Sequence, residues 1–122
     1  MKTILQILVC LLFLSTVSCD REKVFKEYQD KMLAITHGDD TPELKTKKLK
    51  RLLNDISDPN IIKNSEDQKT LTGVCLTGIG NVYEKQKRYD IALDYYNKAI
   101  ESDPTNGKVY YNRGVAYMNL GK

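Results

Sequence analysis

A glycine set in the middle of an apolar helical stripe, met twice at the same spacing, limits this chain more than any other feature. Leu76, Ile79, Val82 and Tyr83 recur at helical spacing with Gly80 among them. Glycine there costs about 1 kcal/mol relative to alanine, so close approach of a second helix is expected in compensation. Tyr89, Ala92, Leu93, Tyr96, Ala99 and Ile100 supply that helix, because they recur at i, i+3, i+4, i+7, i+10 and i+11 and line one side. The spacing predicts an antiparallel pair in which Ala92 and Ala99 are the small residues opposite Gly80, with Tyr83 and Tyr96 filling the space on either side. The pattern restarts about 34 residues later, Tyr110 following Leu76, Gly114 following Gly80 and Tyr117 following Tyr83.

Local signals bound the pair. Ser65 with Gln68 fits a capping box, which starts the first helix near Glu66. Lys87-Arg88 falls in the turn. Asp103-Pro104 ends the second helix, since proline disfavours helical geometry at the residue before it and donates no backbone bond.

Taken together, Leu76, Ile79-Gly80, Tyr83, Ala92, Tyr96, Ala99 and Pro104 resemble the signature of the tetratricopeptide repeat, large-x2-Leu-Gly-x2-Tyr, then Ala-x3-aromatic, then Pro. The resemblance covers Gly73 to Lys122. It implies an all-α fold of antiparallel helical hairpins, a fragment of a right-handed superhelix, in which those residues together with Tyr110, Gly114 and Tyr117 pack one repeat on the next. It also implies a concave groove for peptides or partner helices, lined by the first helices of successive repeats. Carried onto this sequence, the groove positions are Val74, Thr77, Asn81, Glu84 and Lys85 from the first copy and Lys108, Tyr111, Asn112, Val115, Met118 and Asn119 from the second. Asn81 and Asn112 fall where a subgroup of co-chaperones clamps a terminal carboxylate. Thr77 stands where that subgroup has a basic residue, a departure that leaves such a clamp incomplete.

The N-terminus carries a different signal. Met1-Lys2 and the mostly apolar run from Ile4 to Val17 read as a secretory signal, basic at its start and shorter than the about 20 apolar residues that span a bilayer. Thr16-Val17-Ser18-Cys19 resembles the lipobox of bacterial lipoproteins, in which a small residue precedes the cysteine that is lipidated and becomes the first mature residue. Thr16 replaces the commoner leucine. The resemblance implies loss of residues 1–18, a lipid on Cys19 and export to a bacterial membrane; an ordinary signal peptide cleaved near Ser18 is the alternative. Asp20 favours the inner membrane under some sorting rules and not under others, so inner and outer membrane both stay open. With Cys10 removed and Cys19 lipidated, Cys75 has no disulfide partner within the chain and reads as a small residue, not a nucleophile.

Residues 19–64 are expected to hold the lipid attachment site and a helical spacer, and residues 65–122 the repeat region. In the spacer, Phe25, Tyr28, Met32 and Ile35 mark one helix, capped by Asp20 and stopped at His37-Gly38. Thr41, Pro42 and the stripe Leu49, Leu52, Leu53 and Ile56 mark a second, ended by Asp58-Pro59. Ser57-Asp58-Pro59 repeats as Ser102-Asp103-Pro104, which leaves a diverged repeat open as a second reading. Lys45, Lys47, Lys48, Lys50 and Arg51 read as the solvated face of that second helix, with attraction to anionic lipid as the alternative.

The chemistry-bearing classes find little support. His37 is the one histidine and has no cysteine, serine elbow or carboxylate pair at a meaningful spacing, Gly78-x-Gly80 is helical, and Asp39-Asp40 lacks the further ligands of a calcium loop. No enzyme, cofactor or metal site is expected, and a formal charge of +3 does not point to nucleic acid. The expected function is a lipid-anchored adaptor that binds another protein at a bacterial membrane. The alternatives are the N-terminal part of a longer repeat protein and a pilotin-like accessory lipoprotein of secretion or pilus assembly. Because the second copy stops at Gly121-Lys122, Tyr117 and Leu120 are expected to be exposed and to support self-association or capture of a helix from another protein.

Overall fold

The computed structural model describes residues 2–121, without the side chains of Lys2, Leu14, Thr16 and Val17, so two side chains of the lipobox lie outside the described residues. It is an all-α helical repeat fragment of five helices: α1 (Lys2–His37), α2 (Pro42–Ser57), α3 (Ser65–Lys85), α4 (Tyr89–Ser102) and α5 (Gly107–Asn119).

Helix α1 runs straight through Asp20, which is therefore not a cap. Neither glycine nor proline occurs between Lys2 and His37, so nothing in the backbone stops the helix at the end of the apolar run. Its first part exposes Ile4, Leu5, Ile7, Leu8, Val9, Leu11, Leu12 and Phe13, and the helix is long and apolar enough by length and composition to cross a membrane. Its second part packs as expected. Tyr28 and Met32 are buried against α2 and α3, with Phe25 and Ile35 beside them. The Arg21 guanidinium donates to both carboxylate oxygens of Asp67, at 2.5 and 2.7 Å, and ties α1 to the first turn of α3.

Helix α2 starts as predicted, with the Thr41 hydroxyl accepting from the Leu44 N–H and Pro42 in the first turn. Leu49, Leu52 and Ile56 are buried and Leu53 is half-buried. Part of the basic run is engaged: Lys45 Nζ donates to the Thr36 carbonyl at 3.2 Å, and Lys48 pairs with Asp40 at 2.5 Å.

The start of α3 differs from the expected capping box by one residue. Asn64 is the cap, its Oδ1 accepting from the N–H groups of Glu66 and Asp67, while the Gln68 amide reaches across to the Ile56 carbonyl. Asparagine competes well with serine for this position because its carbonyl reaches two N–H groups at once. The two Ser-Asp-Pro segments share one side-chain bond: Asp58 Oδ1 accepts from the N–H of Asn60, and Asp103 Oδ1 from that of Thr105. These side-chain turns close both hairpins alike. The hairpin α1/α2 packs on α3 much as α3/α4 packs on α5, which is repeat-like stacking from a segment read as a spacer.

Two apolar clusters follow. One joins Tyr28, Met32, Leu49, Leu52, Ile56, Ile62, Leu71, Cys75, Ile79 and Val82 across α1, α2 and α3; the other joins Leu76 with Ala92, Leu93, Tyr96, Ala99, Val109 and Ala116 across α3, α4 and α5. Gly80 faces the Tyr96 ring and not the alanines, and the close approach to the α4 backbone lies at Gly73, where a Cβ would be 3.3 Å from the Ala99 carbonyl oxygen. A Cβ on Gly80 would lie 2.5 Å from Tyr96 Cε1. Tyr83 stacks on Tyr95 with ring centroids 5.6 Å apart.

Candidate functional site

A concave cleft of about 1100 Å³ lies between the second half of α1 and the inner faces of α3 and α5. Its existence depends on how closely α1 approaches α3. Gly78 lies at that contact, where a Cβ would meet Thr36 Cγ2 at 3.5 Å and Leu49 Cδ1 at 3.6 Å, ordinary van der Waals distances. Val74, Thr77, Asn81, Glu84 and Lys85 line the cleft from α3, and Lys108, Asn112 and Asn119 from α5. The structure brings these groove positions together around one concavity. Tyr111, Val115 and Met118 are not. They sit on a neighbouring face of α5, where Tyr111 and Met118 are among the most exposed large side chains.

The floor of the cleft is a polar network. Asn81 Oδ1 accepts from Asn112 Nδ2 and from the Tyr96 hydroxyl, each at 2.8 Å, and the same hydroxyl also contacts Glu84 Oε2. Burial, then the hydrogen bond donated to Glu84, pushes the Tyr96 hydroxyl well above its ordinary value, so it stays a neutral donor. The two asparagines thus spend one end of each amide on packing α5 against α3. The Nδ2 of Asn81 and the Oδ1 of Asn112 take no bond in this network and are accessible, because among the described residues no buried side-chain polar atom lacks a partner. Both asparagines line the cleft, with one amide donor and one amide acceptor left accessible. The backbone of an extended peptide offers the complementary pair.

The wall facing the asparagines comes from α1: Glu22, Phe25, Lys26, Gln29, Leu33 and Thr36. Sequence reasoning assigned this helix to a spacer and missed it as a wall. Phe25, Gln29 and Leu33 lie four residues apart on one helical row, the signal that could have shown it. Leu33 remains 55% exposed although it belongs to the folded body, which makes it the apolar side chain most available to a ligand there. Acidic and basic residues alternate around the rim, so the cleft has no single sign of charge.

Cys75 is fully buried. Its thiol donates to the Leu49 carbonyl at 3.2 Å, and burial pushes it up to about 12, which removes it from nucleophilic chemistry. The His37 Nδ1 lies 3.1 Å from the Leu33 carbonyl at the end of α1. No group of three or more metal-ligating side chains occurs among the described residues.

Residues 74–106 match the tetratricopeptide repeat. A second profile with the same description matches residues 95–122, which takes in the second half of α4 and all of α5. Relatives include the Hsp70-Hsp90 organizing protein of Triticum aestivum, 43% identical over 42 residues covering 34% of this chain and 7% of that protein. The human RNA polymerase II-associated protein 3 is 46% identical over 43 residues, covering 35% of this chain and 6% of its own length. The mouse protein O-mannosyl-transferase TMTC2 is 35% identical over 71 residues, which reaches 56% of this chain and 8% of the relative. The chain thus spans under a tenth of the length of these relatives. No solved structure matches it significantly.

Proposed function

We propose that this chain is a non-catalytic adaptor that holds a segment of another protein in the cleft between α1, α3 and α5. The observation that carries the reading is the bonded Asn81–Asn112 pair, which lines the same cleft as the exposed Leu33. The tetratricopeptide match supports it, since repeats of this kind stack helices into extended concave binding surfaces. The test is site-specific photocrosslinking. A photoreactive residue at Val74 or Lys108 should capture a partner that the same residue at Asn97, outside the cleft, does not, and Asn112→Ala should abolish the product. Equal capture from Asn97 would end the proposal.

The same reading places the adaptor on a bacterial membrane through a lipid on Cys19, after export and cleavage at Ser18. Support comes from the sequence of the segment and from the exposure of its apolar side chains and of Cys19. Cys19→Ser should move the protein to the soluble fraction. The continuity of α1 across Cys19 favours a second reading, an uncleaved helix that spans the bilayer. Mass spectrometry of the N-terminus separates the two: a diacylated or triacylated Cys19 supports the lipoprotein, and an intact Met1 supports the spanning helix.

A further inference from the structure

A second, smaller concavity of about 440 Å³ lies on another face, between α2 and the turn that joins α3 to α4. It shares no lining residue with the larger cleft. Lys47, Lys50, Arg51 and Arg88 surround it, with Asn54 and Gln86 between them and Glu43 as the one carboxylate. Among the described residues none of those cations forms an ion pair, whereas the neighbouring Lys48 does. Arg88 is held over the Tyr83 ring at 5.2 Å, and that ring is itself stacked on Tyr95, so one guanidinium is positioned by the fold. On α2 the cleft-lining Lys45 and Leu49 point away from Lys47, Lys50 and Arg51, as the helical period requires.

We propose that this concavity is a binding site for an acidic segment of a partner polypeptide, distinct from the site in the larger cleft. Charges of one sign around a hollow focus their field and raise the local concentration of the opposite charge. The spacing selects an extended acidic chain over a single phosphate group. Lys47 and Arg51 are one turn apart, about 6 Å along the axis, and alternate side chains of an extended peptide repeat at about 6.6 Å. The location argues against a bilayer surface. Lys45 meets the C-terminal end of α1 at Thr36, so the basic end of α2 and the α3–α4 turn lie at the end of the hairpin away from the apolar part of α1. A concave site also suits a strand of peptide better than a flat sheet of head groups.

The experiment is fluorescence anisotropy with a labelled hexaglutamate peptide and the full chain in non-ionic micelles. Saturable binding that weakens as salt rises is expected. Lys50→Glu with Arg51→Glu should weaken it by at least about tenfold, Lys50→Gln with Arg51→Gln by less, and Lys98→Glu, at an exposed lysine outside both concavities, should leave it nearly unchanged. Lys50 and Arg51 are both exposed, so the variants should keep the parent's circular dichroism. Absence of saturable binding, or equal affinity in the charge-reversed variant, overturns the proposal. So does retention on phosphatidylserine vesicles through the same residues with the peptide silent, which would assign the site to a lipid surface.

Discussion

The two copies of one motif meet opposite fates. In the first, Leu76 and Gly80 are buried and Tyr83 is half-buried; in the second, Tyr110, Gly114 and Tyr117 are all exposed. A Cβ on Gly80 would collide with Tyr96, while a Cβ on Gly114 would meet nothing within 4 Å. Yet Val109 and Ala116 of the second copy are as buried as Cys75 and Val82 of the first. Each first helix of a repeat therefore has two apolar faces. One packs backward on the helix before it, and α5 satisfies that face against α4. The other packs forward on its own second helix, which α3 finds in α4 and α5 does not find among the described residues. The same residue types are core or surface according to the neighbour present.

Truncation of the aromatic residue should give the largest contrast. Tyr96→Ala removes a fully buried ring together with its bonds to Asn81 and Glu84, and should cost about 3–5 kcal/mol. Tyr117→Ala should change stability by no more than about 0.5 kcal/mol. Urea melts compare the two directly, and equal losses would refute the division into satisfied and open faces.

The glycines give a contrast of sign. Gly80→Leu should destabilise by about 1–3 kcal/mol through overpacking, and Gly80→Ala should also destabilise, because the Tyr96 ring it meets is fully buried and hydrogen-bonded. Gly114→Ala should stabilise by up to about 1 kcal/mol, since it removes a helix-interior glycine in open space. Thermal melts that shift the same way for both alanine variants would contradict the packing.

A weaker test concerns what covers the open face. Tyr117 and Leu120, each 38% exposed, are expected to mediate self-association, read as a rising sedimentation coefficient with concentration and reversed by Tyr117→Glu. A parent that sediments as a monomer at every concentration would remove this expectation. A separate test is a pH dependence at the buried copy. The Cys75 thiol goes from an ordinary 9.0 to about 12 on folding, so the folded state favours the neutral form. Its contribution is full below about pH 9 and is lost as pH rises toward 12. Cys75→Ala should flatten that part of the alkaline melt, and no change in slope would show that the thiol does not contribute.

Much of this architecture was legible in residue spacing. The helices of the repeat, the stop at Asp103-Pro104, the turn at Lys87-Arg88 and the presence of a tight contact at Gly80 follow from local patterns, because helical period, proline and mid-helix glycine act over a few residues. The groove positions on α3, with Lys108, Asn112 and Asn119 on α5, came from the resemblance to the repeat family and share one cleft. What the tertiary structure alone decided is which helix faces which. It put Tyr96 and not an alanine against Gly80, turned α1 into the wall of the cleft and joined Asn81 to Asn112 across 31 residues of chain. It also left Tyr110 and Tyr117 in solvent though they repeat Leu76 and Tyr83. A sequence states which side of each helix is apolar; the partner that buries it lies elsewhere in the chain, and its placement depends on the packing of every helix between them.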